Sequence, residues 1–231
     1  MPAAEFDSFA YTYEADLDQA LSVSGENKDF FAECRVKWLA HRLQRLDFKP
    51  ASALDYGCGI GGTAVLLRDL LRVSSVIGLD VSARSVELAH SRHPKDGIRF
   101  FTFEQYAPSG EIDLAYCNGV FHHIPVAERD QAIQYIFRAL RPGGLFALWE
   151  NNPWNPGTRW VMSRCSFDRN AITLTPSETA KLSQRNGFQV IKTDYRFFFP
   201  RSLGWFRILE PSLAGMPFGA QYLVLCSKPL S

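Results

Sequence analysis

Leu54-Asp55-Tyr56-Gly57-Cys58-Gly59-Ile60-Gly61-Gly62, LDYGCGIGG, carries apolar and aromatic residues interleaved with an acid and then four glycines inside six positions. A strand that ends in glycines and turns into a helix (GGTAVLLRDLLR, residues 61–72) needs them because the backbone must bend sharply and pass close to a ligand with no Cβ in the way. Both Gly57-x-Gly59-x-Gly61 and Gly57-x-Gly59-x-x-Gly62 can be read in the loop. Asp80, 21 residues past Gly59 at the tip of a second apolar run, has the place of a carboxylate that accepts hydrogen bonds from ribose hydroxyls. Adenosyl and dinucleotide cofactors share that ribose. The glycines and the acid therefore establish nucleoside binding and leave the cofactor open.

Outward from the loop, helices and strands alternate. Phe31, Cys34, Trp38, Leu39, Leu43 and Leu46 recur at helical spacing between Asn27 and Leu46, and Pro50 ends that pattern. Short apolar strands are expected at 52–57, 76–80, 98–103, 114–118, 145–149, 188–198 and 221–227. Such alternation means a parallel sheet with crossover helices. A helix near 128–140 should stop at Arg141-Pro142-Gly143-Gly144, and Thr175-Pro176-Ser177-Glu178 reads as a capping box opening another, closed by Asn186-Gly187.

Composition narrows the classes. With 231 residues, 46% apolar and 21% charged, the chain is an ordinary globular sequence of the size of one large α/β domain. No apolar run approaches the roughly 18 residues of a membrane span, and no basic residue precedes Lys28 as it would in a secretory or mitochondrial signal, so a cytoplasmic protein is expected. Five cysteines, odd in number and without C-x-x-C spacing, suit buried thiols in a reducing compartment, and no metal site is expected. Residues 1–150 carry 15 Lys/Arg against 20 Asp/Glu, and residues 151–231 carry 10 against 4. That basic tail suggests either a solvated face or an anionic substrate; at pI about 7.7 a nucleic-acid partner is not expected.

Five signals in order, ALDYGCGIGG, GLDVS ending its strand at Asp80, FEQ after the third strand, DLAYCNGVFHHI at the fourth and LRPGGLFALWE at the fifth, resemble the class I S-adenosylmethionine (SAM)-dependent methyltransferases, small-molecule type. The likeness is close over 50–150 and looser at the flanks. It implies a single Rossmann-like doubly wound sheet of seven strands, the last antiparallel, with helices on both faces. Residues 1–49 would form an N-terminal cap and helix, 50–150 the SAM-binding core, 151–175 a substrate lid, and 176–231 a terminal helix and strand pair. Gly57, Gly59 and Gly61 would let the methionine portion lie against the loop, with Asp55 assisting by charge. Asp80 and the adjacent Val81 would meet the ribose, and Glu104 would face the adenine amino group, although Phe103-Glu104 replaces the family's frequent small residue plus Asp. The Asn118 carbonyl would receive the ammonium, Arg35 would pair with the carboxylate, and Tyr13 would cap the sulfonium with an aromatic face. Nicotinamide oxidoreduction on Gly57-x-Gly59-x-x-Gly62 and a non-catalytic SAM-binding module are the alternatives.

Methyl transfer asks mainly that a nucleophile be held in line with an activated methyl and that water be excluded. If the acceptor arrives protonated, His122 and His123, just after the fourth strand, are the candidate bases, with Glu150 at the end of the fifth as second choice. Two adjacent histidines with no third ligand nearby make a poor metal site. Trp154, Trp160 and Phe167, with the later YRFFFPRSLGWFRI, suggest either an apolar pocket with basic points or simply core. The expected protein is a monomer or homodimer that methylates O or N of a small aromatic or anionic molecule, without nucleic acid or membrane.

Overall fold

A computed structural model describes residues 13–94 and 96–230, with side chains from Leu17 onward. In chain order the elements are α1 (Tyr13–Leu21), α2 (Lys28–Arg45), β1 (Ser52–Tyr56), α3 (Gly62–Leu71), β2 (Ser75–Asp80), α4 (Ala83–Arg92), β3 (Ile98–Thr102), β4 (Ile112–Asn118), α5 (Arg129–Ala139), β5 (Leu140–Asn151), α6 (Pro156–Arg164), α7 (Pro176–Arg185), β6 (Gln189–Arg196), α8 (Glu210–Leu213) and β7 (Gln221–Ser227). Short 3-10 turns lie at Ser22–Ser24, Val126–Glu128, Ser166–Asp168 and Arg201–Leu209.

The seven strands form one sheet in the order β3-β2-β1-β4-β5-β7-β6. Strands β1 to β5 run parallel, while β7 inserts antiparallel between β5 and β6. Alternation along each strand divides two cores. Ala53, Leu114, Tyr116, Leu145, Ala147 and Leu223 face a layer holding Val36, Leu39 and Leu43 of α2, Ala64 and Leu67 of α3, and Val86 and Ala89 of α4. Leu54, Ala115, Cys117, Phe146, Leu148 and Val224 face Ile133 and Ile136 of α5 and Leu182 of α7. Strands buried on both faces have to read as near-continuous apolar runs, as these do. The order reverses between β1 and β4, and the crevice outside their carboxyl ends is where such sheets bind ligands.

Local chemistry sets the element ends. The Asn27 side chain accepts from the Phe30 N–H to open α2, and the Thr175/Glu178 capping box opens α7 as expected. The stretch Arg141–Gly144, expected as a reversal, is instead the start of β5: Leu140 pairs with Ile112, and the ladder shifts register between Ile112 and Leu114. Gly143 adopts φ +75°, and a Cβ on Gly144 would lie 2.9–3.1 Å from three carbonyl oxygens, so only glycine passes there. Lys228 follows β7 and donates its Nζ to the Phe137 and Leu140 carbonyls, closing the α5 carboxyl end. Among the described residues no helix is long and apolar enough to cross a membrane.

Candidate active site

One cavity of about 820 Å³ opens at the carboxyl ends of β1, β2 and β4. It is lined by the glycine loop, by Asp80 and Val81 after β2, by Asn118 to Val120 after β4, and by residues of α1, α2 and α5. The loop is held from below: the Gly57 and Cys58 N–H groups both donate to the Leu79 carbonyl, at 2.7 and 2.9 Å. Gly57 has φ +78°, and a Cβ there would come within 2.3 Å of Val120 Cγ2. A Cβ on Gly59 or Gly62 would meet nothing within 4 Å, which leaves those positions open as a cradle. Gly61 differs from expectation. It caps α3 with φ +86°, and a Cβ there would strike Phe100 at 2.6 Å, so its glycine serves packing and it does not line the cavity.

Asp80 takes hydrogen bonds from the Gly59 N–H at 2.8 Å and the Ser82 N–H at 2.9 Å, one on each oxygen. Asp55 points from β1 toward the α2 side and is buried; desolvation, and then the charge of Asp80, push its carboxyl up to about 7. Arg35 is not an exposed helix arginine. It is buried on α2, donates to Gln221 Oε1 at 2.9 Å, and lines the cavity beside Tyr116. Buried polar atoms on cavity residues that lack a hydrogen-bond partner include Arg35 Nε, Asp55 Oδ2 and Asn118 Oδ1. Such atoms are costly unless a ligand meets them, and a guanidinium, a carboxylate and an amide oxygen fit the carboxylate and ammonium of an amino-acid moiety.

Other expected contacts move. Glu104 lies exposed on the turn after β3, away from the cavity, and its neighbour Phe103 lines the wall instead. Phe103 packs tilted on Tyr56 and edge-on to Tyr135, which explains the exchange, because the aromatic ring packs inward and turns the carboxylate out. The side chain of Tyr13 lies outside the described residues. Trp154 and Trp160 are exposed, Phe167 is buried against Cys165 and Ala20, and none of these three nor the segment 195–208 lines the cavity. The apolar wall comes from Leu17, Tyr56, Phe103, Val120, Ile124 and Tyr135.

The histidines part company. His123 lines the cavity, whereas His122 is buried behind it. Glu150 accepts from the Phe121 N–H at 2.8 Å and from His122 Nδ1 at 2.6 Å, so it orients that imidazole and does not reach the cavity. Asp168, from the 3-10 turn of the 151–175 segment, brings Oδ1 to 3.4 Å from Nε2 of both histidines. Burial alone would depress His122, but the carboxylates of Glu150 and Asp168 outweigh it and push the imidazole up to about 10. Burial and then the charge of His122 hold His123 down at about 2. Asp168 was not foreseen, yet it is the single acid between residues 151 and 175. The same segment is tied to the core where the Ile172 N–H donates to the His122 carbonyl and Arg129 donates to the Ile172 carbonyl.

Residues 54–148 match a family model described as a methyltransferase domain. The chain is 30% identical over 119 residues, 51% of its length and 45% of the relative's, to trans-aconitate 2-methyltransferase of Methylobacterium radiotolerans. It is 30% identical over 158 residues, 67% of its length and 56% of the relative's, to a probable SAM-dependent methyltransferase of Mycolicibacterium smegmatis. The chain thus spans about half the length of the curated relatives it matches. A SAM-dependent methyltransferase of Thermotoga maritima, described as a possible histamine N-methyltransferase, superposes with TM-score 0.67 at 19% identity, covering 96% of this chain and 98% of that one. The putative methyltransferase crystallised with the Trm112 activator of Haloferax volcanii gives 0.66 at 19% identity, covering 97% and 98%. These two likenesses concern the fold. The glycine loop, Asp80 and the matched domain fall on the same strands, and residues 54–148 belong to the class I SAM-dependent methyltransferase family, whose cofactor is S-adenosylmethionine.

Proposed function

We propose that the chain transfers a methyl group from SAM to an oxygen or nitrogen of a small molecule by in-line displacement. The observation that carries this reading is a cavity that joins the buried polar atoms of Arg35, Asp55 and Asn118 and the glycine cradle to a second, largely apolar region walled by Tyr56, Val120, Ile124 and Tyr135. Gly59, Gly62, Asp80 and Val81 would hold the nucleoside side, and Arg35, Asp55 and Asn118 the amino-acid side. When bound, SAM supplies a methyl group already activated on a sulfonium. The chain's own residues need to seat the acceptor against it and exclude water.

His123 is the histidine placed to touch an acceptor, since His122 and Glu150 lie behind the wall. Burial and the charge of His122 lower the His123 imidazole and weaken it as a base. The site therefore suits an acceptor that arrives already deprotonated, such as a phenolate, a carboxylate or a free amine, and the apolar wall favours one with an aromatic or other apolar body. The basic tail does not line the cavity, so it supplies no argument for an anionic acceptor. The nicotinamide reading of the glycines gives way to the family match.

Calorimetry with S-adenosylhomocysteine (SAH) and with NADH, followed by incubation of SAM with a panel of phenols, carboxylic acids and amines, tests the proposal. Heat from SAH alone and a product heavier by one CH2 are expected. Heat from NADH and none from SAH would overturn it, and SAH binding without a methylated product anywhere in the panel would favour a binding module.

A further inference from the structure

We propose that His122, His123 and Asp168 form a binding site for one divalent first-row transition-metal ion. The three residues stand on separate parts of the fold: the histidines follow β4, and Asp168 comes from the 3-10 turn 45 residues later. Their donor atoms nevertheless converge, all lying within 4.8 Å of one another. Asp168 Oδ1 is 3.4 Å from His122 Nε2 and 3.4 Å from His123 Nε2. An ion bound tetrahedrally at about 2.0–2.1 Å spaces its ligands roughly 3.4 Å apart, so two edges of the coordination shell already have their length.

Two further features support a ligand at that point. Glu150 holds His122 Nδ1 at 2.6 Å and is itself fixed by the Phe121 N–H. A carboxylate on the far nitrogen sets the tautomer that presents Nε2 as a donor and raises its basicity, the arrangement that metal-binding histidines use. Asp168 Oδ1 is buried with the two imidazole nitrogens facing it at 3.4 Å, and the three side chains are only 3%, 9% and 5% exposed for His122, His123 and Asp168. Without an ion the His122 imidazole proton faces that oxygen, and a metal ion would bind by displacing this proton.

The donor set selects the ion. Two imidazoles and one carboxylate suit zinc, cobalt, iron or manganese, whereas magnesium and calcium prefer oxygen throughout. Three protein ligands leave at least one coordination position, and His123 also lines the cavity. An ion there would join the 151–175 segment to the β4 loop and offer a Lewis acid to an oxygen of the acceptor. That last clause rests on the methyl-transfer reading; the ion site itself does not.

The full chain, stripped with a chelator and desalted, is titrated with Co²⁺ and followed by visible absorption, and with Zn²⁺ by calorimetry. One equivalent is expected to bind, with the absorption of a low-coordinate cobalt ion. Asp168→Asn should weaken it by at least about tenfold, and Glu150→Gln should weaken it about 10–100-fold, as losing an outer-shell partner does. SAH calorimetry on the same samples reports the fold and the cofactor site separately. Retained SAH binding with no cobalt band, or equal cobalt affinity in the parent and Asp168→Asn, overturns the ion site and leaves the cofactor reading standing. If Asp168→Asn loses SAH binding through misfolding, the parent decides by its proton spectrum: Co²⁺ should shift two of the five histidine rings together, and no such pair refutes the proposal.

Discussion

Gly57 and Gly59 stand two residues apart in one loop and do different work. At Gly57 a side chain would meet both a positive φ and Val120 at 2.3 Å, whereas at Gly59 it would meet only the positive φ, +52°, and the open cavity. Gly57→Ala is expected to destabilise the fold by about 1–3 kcal/mol, read by denaturant unfolding. Gly59→Ala should cost about 1–2 kcal/mol of fold yet reduce SAH affinity disproportionately, read by calorimetry, because its methyl occupies the cradle. Asp55 has a testable sign. Its folded pKa stands above the ordinary carboxylate value, so the unliganded fold loses stability as pH rises from about 4 to about 7. A bound ammonium prefers the ionised form, so SAH affinity should rise with pH up to about 7 and then level, with protons released on binding. Asp55→Asn should flatten both, as calorimetry in buffers of different ionisation heat would reveal. At this scale the positive-φ glycine turn and the placing of Asp55 and Asp80 at the cavity were legible, because backbone curvature and a strand-end carboxylate are sequence-local, while Gly61 turned out to serve packing. Glu104 was not, since whether it or Phe103 turns inward depends on the rings of Tyr56 and Tyr135 from two other elements.

Helix α2 shows how an element is positioned by residues far along the chain. Asp194 of β6, 1% exposed, accepts from Trp38 Nε1 at 3.0 Å and from Arg42 Nε and Nη2 at 2.6 and 2.5 Å. The pair fixes the rotation of α2, and that rotation carries Arg35 into the cavity. Asp194→Ala leaves the half-buried Arg42 guanidinium and the Trp38 N–H without their acceptor and is expected to cost about 1–3 kcal/mol. Urea unfolding checks the loss, and a parallel fall in SAH affinity checks the link to Arg35. The helical spacing of α2 was readable from its apolar residues, but its partner 152 residues away was not. The same holds for Arg141–Gly144: proline and glycine were rightly read as the end of α5, while their pairing as a bulged strand needed the carboxyl-terminal Lys228.

Across the whole molecule, cofactor and fold are thermodynamically linked. SAH at about 100 times its Kd should stabilise the native state by about 2.7 kcal/mol and raise the melting temperature by about 5–10 °C, read by calorimetric scans with and without ligand; an unchanged melting temperature would contradict the cavity assignment. By itself the sequence determined the α/β class, the parallel core and the nucleoside loop, because strand alternation, helix periodicity and glycine curvature act over a few neighbouring residues, while the antiparallel last strand was expected only from the family resemblance. Only the tertiary structure decided which side chains share a space. It set His122 behind the wall with Glu150, left His123 on it, carried the tryptophans of 151–175 outward, and delivered Asp168 to both imidazoles. Those outcomes follow from the packing of segments distant in the chain, where a side chain's direction is settled by its neighbours across the sheet and not by its own sequence context.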